Sequence, residues 1–216
     1  MTTLQGIILM LFAVCAAADF FALRSGNGRL EHAVKPALMP LLIALYLVSV
    51  PQPNPYVILA LFGGFLGDTF LLGTGICFIC GLLSFLVGHV FYITAFLRPL
   101  DAAQIIPALF LLVLPYLLYG ILACRLLFPS IPKPMKPAVI LYMVALLGMS
   151  FSALLRCTAV SGLRFWLTFL GSLFFVVSDT ILAFQVFRKT SGKNSSVVVM
   201  ATYLLAQLMI TTGFIV

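Results

Sequence analysis

The sequence predicts an all-α polytopic membrane protein with eight transmembrane helices. Of its 216 residues, 63% are hydrophobic and only 8% are charged, and its mean hydropathy is +1.24, far outside the range of soluble globular domains. Its apolar runs reach the length of about 20 residues that a helix needs to cross a bilayer. They are too long for barrel strands, and within lipid only helices and closed barrels satisfy every backbone polar group.

The apolar segments account for nearly the whole chain, so we expect one integral membrane domain over residues 1–216. The first segment lacks a basic start and a small-residue cleavage site, which predicts a retained helix instead of a removed signal peptide. The second is short, but Pro51, Pro53 and Pro55 mark a clear break after it. The expected spans are residues 4–23, 36–50, 56–72, 76–97, 104–127, 137–155, 164–187 and 197–215.

The net charge of +7 indicates orientation, not affinity for nucleic acid, because the twelve Lys and Arg residues are confined to loops and helix ends. Loops after odd-numbered helices carry nine of them, and the other side carries three. By the positive-inside rule the odd loops are cytoplasmic and both termini lie outside, which we expect in a bacterial inner membrane. The nine are Arg24, Arg29, Lys35, Arg125, Lys133, Lys136, Arg188, Lys189 and Lys193; the three are Arg98, Arg156 and Arg164.

Metal and cofactor chemistry has little support in the sequence. One C-x-x-C pair, Cys77 and Cys80, opens an apolar helix, but no second Cys or His pair accompanies it, so we interpret both as small packing residues. The only histidines are His32 and His89. Zincin, serine hydrolase and P-loop motifs are absent, so we expect neither a metal nor a cofactor.

Short matches predict an internal repeat. Asp68-Thr69 and Asp179-Thr180 are 111 residues apart, as are Tyr92 and Tyr203. The runs Lys35-Pro-Ala and Lys136-Pro-Ala, at an offset of 101 residues, are each expected to open a helix. Four helices in each repeat, 1–103 and 104–216, would make the halves parallel. The two aspartates would then lie at similar depth and face each other.

Two of the five acids lie deep in apolar runs. Glu31 and Asp101 are expected in loops beside basic residues, and Asp19 at the inner end of the first helix, where it reaches the interface or pairs with Lys35. Asp68 and Asp179 are different, because a carboxylate in hydrocarbon costs about 2.5 to 3.5 kcal/mol and is functional by default. Two carboxyls in one pocket tend to share a proton, which suits a general acid and a charge-stabilising base. The alternative is two unrelated acids, each hydrogen-bonded to nearby polar groups.

Further polar residues near the aspartates are candidates for substrate binding. His89 and Tyr92 share a face of the fourth helix, three residues apart. Tyr203 and Gln207 form a polar stripe on the eighth helix, and Gly63, Gly64 and Gly67 allow close approach beside Asp68. For the histidine and the tyrosines, a role in packing or at the interface is the alternative.

Five runs, in the same order over nearly the whole chain, resemble the YhhN-like family of membrane lysoplasmalogenases. They are KPALMPLL at 35–42, GDTFLL at 67–72, FLVGHVFYITAF at 85–96, GSLFFVVSDTILAF at 171–184 and YLLAQLMI at 203–210. The two aspartate motifs and the Y-x-x-A-Q run are the specific part. The resemblance implies an eight-helix enzyme that hydrolyses the vinyl ether bond of lysoplasmalogens to a fatty aldehyde and glycerophospho-ethanolamine or -choline. It also implies that Asp68 and Asp179 are the catalytic pair.

This chemistry suits the two acids. Protonation of the vinyl ether at its β-carbon gives an oxocarbenium ion, to which water adds, and the hemiacetal collapses without a cofactor. One aspartic acid would donate the proton, and the other carboxylate would stabilise the cation and activate water. The partner is then a lysophospholipid in the membrane, with its tail in an apolar groove and its phosphate near Lys35, Lys136 or a tyrosine. The sequence does not assign the two roles to particular aspartates.

Three other functions use similar features. A proton-coupled transporter of lipids or small molecules would also have parallel repeats and paired membrane acids; short loops and uninterrupted helices count against it. An intramembrane aspartyl protease would require G-x-G-D, whereas this chain has F-L-G-D before Thr69. A membrane scaffold without catalysis is the third.

Overall fold

The computed structural model describes residues 2–101, 107–189 and 192–216. In these ranges the chain forms eight α-helices and no strand, as the sequence predicts. Seven segments are long and apolar enough to cross a membrane, and the chain is a multi-pass membrane protein. The helices are α1 Thr3–Ser25, α2 Gly28–Ser49, α3 Pro55–Leu71, α4 Ile76–Leu97, α5 Val113–Leu127, α6 Lys136–Leu155, α7 Gly162–Arg188 and α8 Lys193–Ile215.

The shortest of the apolar helices that line the interior is α3, with 17 residues. At 1.5 Å per residue it spans about 25 Å, less than the hydrocarbon thickness of about 30 Å. It packs extensively on α4, where Gly63 and Gly88 bring the backbones together. A Cβ on Gly63 would lie 2.9 Å from the carbonyl oxygen of Ser84. This close contact fixes the rotation of α3, and with it the direction of Asp68.

The second helix begins earlier than predicted. We expected the span to begin at 36, but α2 begins at Gly28, where the Asn27 side chain accepts a hydrogen bond from Leu30 N. Pro36 and Pro40 lie inside the helix. The prediction was wrong because the first two turns carry charged residues, so hydropathy does not mark them as helix. Glu31 therefore lies on a helix and not in a loop.

The fifth span is not one continuous α-helix. Its predicted start at 104 lies outside the described residues, and residues Pro107–Leu112 form a 3-10 helix before α5. Pro115 explains the change, because it has no N–H and its ring displaces the carbonyl of Leu111. No described residue of α5 belongs to the apolar core that the other seven helices share. Helix α5 therefore lies at the edge of the bundle.

The two ends of the bundle differ in charge. The loops between α1 and α2, α5 and α6, and α7 and α8 lie at the end that holds the nine basic positions named above, here called the basic end. The Arg188 guanidinium donates hydrogen bonds to Leu126 O, joining the ends of α7 and α5 there. At the opposite end the Arg156 guanidinium stacks on Phe96 and Phe214. The internal repeat stays a prediction, and Lys35 lies inside α2 whereas Lys136 opens α6.

Candidate active site

Asp68 lies one turn before the end of α3 and is only 3% exposed. Tyr203 on α8 donates a hydrogen bond of 2.9 Å to its Oδ2. Gly64, one turn earlier on α3, leaves room for this contact. A Cβ on Gly64 would lie 2.9 Å from the Tyr203 hydroxyl and 3.1 Å from Gln207 Nε2. The glycine next to the aspartate motif thus serves side-chain packing around the acid.

A directed chain of hydrogen bonds ends at Asp68. Tyr92 on α4 donates to Gln207 Oε1 at 2.5 Å, and Gln207 Nε2 donates to the Tyr203 hydroxyl at 3.4 Å. Because Tyr203 accepts from Gln207, its own proton is directed to Asp68. All three side chains are buried. The chain thus presents Asp68 with a fixed donor in an apolar surrounding.

Asp179, in the middle of α7, has a separate set of partners. Tyr142 on α6 donates to its Oδ2 at 2.6 Å, and His89 Nε2 lies 3.4 Å from the same oxygen. His89 Nε2 is also 3.3 Å from the Tyr142 hydroxyl. No hydrogen bond from a described residue reaches Oδ1 of Asp179. One oxygen is therefore held in place, and the other is available to a bound molecule.

Phe175, one turn before Asp179 on α7, separates the two acid clusters. Its ring packs edge-on against His89 at 4.9 Å and against Tyr203 at 5.4 Å between ring centroids. The two carboxyls thus lie in one region of the bundle without touching, each in its own apolar and hydrogen-bonded surrounding.

A cavity of about 280 Å³ opens beside Asp179. Its wall comes from α4, α5, α6, α7 and the segment before α6, and is almost wholly apolar. Tyr119, Tyr142 and Thr180 bring the few other polar groups. No described residue of α1, α2, α3 or α8 contributes to this wall, and Asp68 does not line it. We call it the Asp179 cavity.

The five residues predicted to bind substrate lie outside the wall of this cavity. His89 contacts Asp179, whereas Tyr92, Tyr203 and Gln207 form the chain to Asp68. Lys35, on α2, forms an ion pair of 3.5 Å with Glu31. The structure therefore brings four of the five to the acids, and their part in binding substrate stays a prediction.

The expectation for Asp19 was wrong. Its side chain is fully buried, and neither carboxyl oxygen has a hydrogen-bond partner among the described residues. Lys35 bonds Glu31 instead, because the two are four residues apart on one helix face. Asp19 lies on the inward stripe of α1, which also holds Ile8, Phe12, Ala16 and Ala22. It is thus a third acid in the interior.

Sequence reasoning missed Tyr142 and the Asp179 cavity. A tyrosine six residues inside an apolar helix is a usable signal, because a buried phenol needs a hydrogen-bond partner. The sequence gives no comparable signal for the cavity, which depends on the distance of α5 from α6. Within the described residues, no group of three or more His, Cys, Asp or Glu could hold a metal ion.

The chain is similar to a known family and to a curated protein. Residues 30–214 match the YhhN family. A curated relative, lysoplasmalogenase TMEM86B of Sus scrofa, is 35% identical over 139 residues, which make up 62% of this chain and 52% of the relative. The chain thus covers about half the length of that relative. No solved structure matches. The matched family region contains α3 to α7 complete, but not α1 with Asp19.

Proposed function

The chain belongs to the YhhN family, and from this premise we propose that it hydrolyses the vinyl ether bond of lysoplasmalogens. The products are a fatty aldehyde and glycerophospho-ethanolamine or -choline. The observation that carries the proposal is Asp179, an acid in the wall of an apolar cavity with one oxygen that no described residue bonds. A cavity of this kind accepts a single lipid chain and excludes bulk water from the acid.

We assign the first chemical step to Asp179. Its free oxygen, Oδ1, carries the proton and transfers it to the β-carbon of the vinyl ether. Tyr142 and His89 hold Oδ2, so the acid keeps one orientation in the cavity. The C=C bond gives its electron pair to the new C–H bond, and the ether oxygen shares the positive charge as an oxocarbenium ion. A positioned acid of this kind contributes about 10² to 10⁴-fold to the rate.

We assign the second step to Asp68. Its carboxylate, on the other side of Phe175, stabilises the oxocarbenium ion through space and accepts a proton from the attacking water. The water oxygen bonds to the charged carbon and gives a hemiacetal. The hemiacetal C–O bond then breaks, its hydroxyl proton passes to the leaving glycerol oxygen, and aldehyde and alcohol separate. The proton on Asp68 returns to Asp179, so no acid or base is consumed.

The lipid fits the charge distribution of the bundle. The wall of the Asp179 cavity includes Pro134 and Met135 at the basic end, next to Lys136. The Lys136 ammonium lies over the Phe128 ring, 5.4 Å from its centroid. A lipid phosphate near Lys136 leaves the tail free to follow a second apolar groove between α5 and α6, which shares Met143 and Leu147 with the cavity.

We also propose that the basic end faces the cytoplasm of a bacterial inner membrane and that both termini face out.

The proposed function is tested with purified protein in detergent and a pair of lipids. One is a lysoplasmalogen, and the other is the alkyl ether analogue without the double bond. We expect aldehyde from the vinyl ether alone, because only a C=C bond accepts the proton of Asp179. Equal cleavage of both lipids, or of neither, contradicts the proposal; intact lysoplasmalogen moved across vesicles would point to a transporter instead.

The cavity is tested by filling it. Ala183 lies on α7 one turn after Asp179 and lines the cavity. We expect Ala183→Phe to raise KM for lysoplasmalogen by about tenfold or more, because the ring occupies the space of the lipid. Val177→Phe adds the same ring to an exposed outer position of α7 and should change nothing. Similar KM values in both variants would show that the lipid binds elsewhere.

The packing around Asp68 is tested at Gly64. Gly64→Ala pushes a methyl group against the Tyr203 hydroxyl and Gln207, and overpacking of this kind costs about 1 to 3 kcal/mol. We expect a loss of turnover of about tenfold, because Tyr203 moves from Asp68. Gly148→Ala is the matched control, since its nearest atom would be 3.7 Å away. Aldehyde release and thermal unfolding in detergent measure both variants, and equal activity of the two would refute the packing argument.

A further inference from the structure

Hydrolysis needs a water molecule, and the Asp179 cavity is poorly suited to deliver it. Its wall is almost wholly apolar and comes only from residues between Phe78 and Phe187. Asp68, to which the attacking water is assigned above, does not line this cavity. Tyr203 on α8 bonds it, and its helix α3 packs on α2, which in turn packs on α1. Hydrolysis therefore needs an approach for water that is separate from the apolar one for the lipid.

Helix α1 holds a buried polar group that no described residue satisfies. Asp19 is fully buried on the inward stripe of α1, and both of its oxygens lack a hydrogen-bond partner among the described residues. Buried water in proteins typically bonds to polar groups of this kind, about three at a time. An acid without such a function is rarely retained inside a membrane helix.

Charged groups extend from Asp19 in two directions. Its charge interacts with Lys35 and Glu31 on α2 and with Asp68 on α3. The Lys35 and Glu31 side chains are partly exposed, at 14% and 23%. The four residues come from three different helices, and two of them are partly exposed whereas Asp19 and Asp68 are buried.

We propose that Asp19 binds the water that reaches Asp68, and that Lys35, Asp19 and Asp68 line the water route of the enzyme. This inference rests on the proposed vinyl ether hydrolysis. Asp19 is then a positioning residue: its two oxygens accept hydrogen bonds from water and hold it near the Asp68 carboxylate. The lipid arrives on the α4–α7 side, and water arrives on the α1–α2 side. Asp19 lies outside the matched family region, so family membership does not assign it this role.

The test is Asp19→Leu, which removes the water-binding oxygens at similar volume, compared with Asp19→Asn, which keeps a polar group. We expect Asp19→Leu to lower kcat by about tenfold or more with KM unchanged within about twofold, and Asp19→Asn to stay close to the wild type. Phe12→Leu, buried two turns away on the same stripe, controls for packing in α1. If Asp19→Leu does not give folded protein, Asp19→Val replaces it.

Reaction in D₂O separates a water route from a structural role. When water is scarce, the oxocarbenium ion returns a proton to Asp179 before it is hydrolysed. Lysoplasmalogen recovered from Asp19→Leu should therefore carry deuterium at the vinyl β-carbon, whereas that from wild type and Phe12→Leu should not. Turnover at the wild-type level, a change in KM alone, or slow turnover without deuterium in the recovered lipid would each overturn the inference. If the wild type itself releases no aldehyde, the proposed function fails first, whatever the variants do.

Discussion

Replacing Asp179 by Asn is expected to reduce aldehyde release by about 10³-fold, since the amide keeps the shape of the side chain but cannot protonate carbon. The structure limits other effects of this change. Tyr142 can still donate to the amide oxygen, and the cavity wall keeps its form. KM for lysoplasmalogen should therefore stay within about threefold of the wild type, and kcat should carry the loss.

The matched control for Asp179→Asn is Asp101→Asn. Asp101 is an exposed acid in the loop after α4, at the end of the bundle away from the cavity. Initial rates over a range of lipid concentrations in detergent, with size-exclusion profiles as a check of folding, measure both. Full turnover in Asp179→Asn would show that Asp179 is not the proton donor. An equal loss in Asp101→Asn would indicate a general effect of charge on the protein.

Replacing Asp68 by Asn is expected to reduce kcat by about 10²-fold, the size of effect typical for the loss of one group that stabilises developing charge. The neutral amide neither stabilises the oxocarbenium ion nor accepts the proton of water. The loss should be smaller than for Asp179→Asn, because the proton can still be transferred to carbon. In D₂O the unreacted lipid from this variant should gain deuterium, because the ion reverts when hydrolysis is slow.

A second variant, Tyr203→Phe, is measured together with Asp68→Asn. It removes the only hydrogen bond that a described residue donates to Asp68 and keeps the charge, so we expect a loss of about tenfold. We expect kcat to be lowest in Asp68→Asn, intermediate in Tyr203→Phe and highest in the wild type. A Tyr203→Phe variant less active than Asp68→Asn would mean that the tyrosine acts on the substrate directly.

The presence of most of the helices, and of two acids inside them, could be predicted from the sequence because both depend on local composition. Apolar length marks a membrane helix, and Asp68 and Asp179 are unusual in any apolar run. The start of α2 could not be predicted in this way, since Arg29, Glu31 and Lys35 lower the hydropathy of turns that are helical. Capping by Asn27 was the signal available there.

The partners of the acids could not be predicted because they depend on the rotation of each helix about its axis. Tyr92 and Tyr203 occupy matching positions in the expected repeat, yet Tyr203 donates to Asp68 whereas Tyr92 donates to Gln207. Asp179 bonds Tyr142 instead. Pairing of Asp19 with Lys35 was reasonable from their positions near the ends of the first two predicted spans. The pair between Asp19 and Lys35 is not formed, because Lys35 forms an ion pair with Glu31 on its own helix.

If this membrane protein breaks the vinyl ether by protonating carbon, the product carries a proton from the solvent, and its isotope content shows where. Purified wild-type protein is incubated with lysoplasmalogen in D₂O, and the released aldehyde is reduced at once to the alcohol and analysed by mass spectrometry. We expect the alcohol to carry one deuterium, on the carbon next to the former aldehyde carbon. Aldehyde without deuterium at that carbon, or lysoplasmalogen left intact, would contradict it.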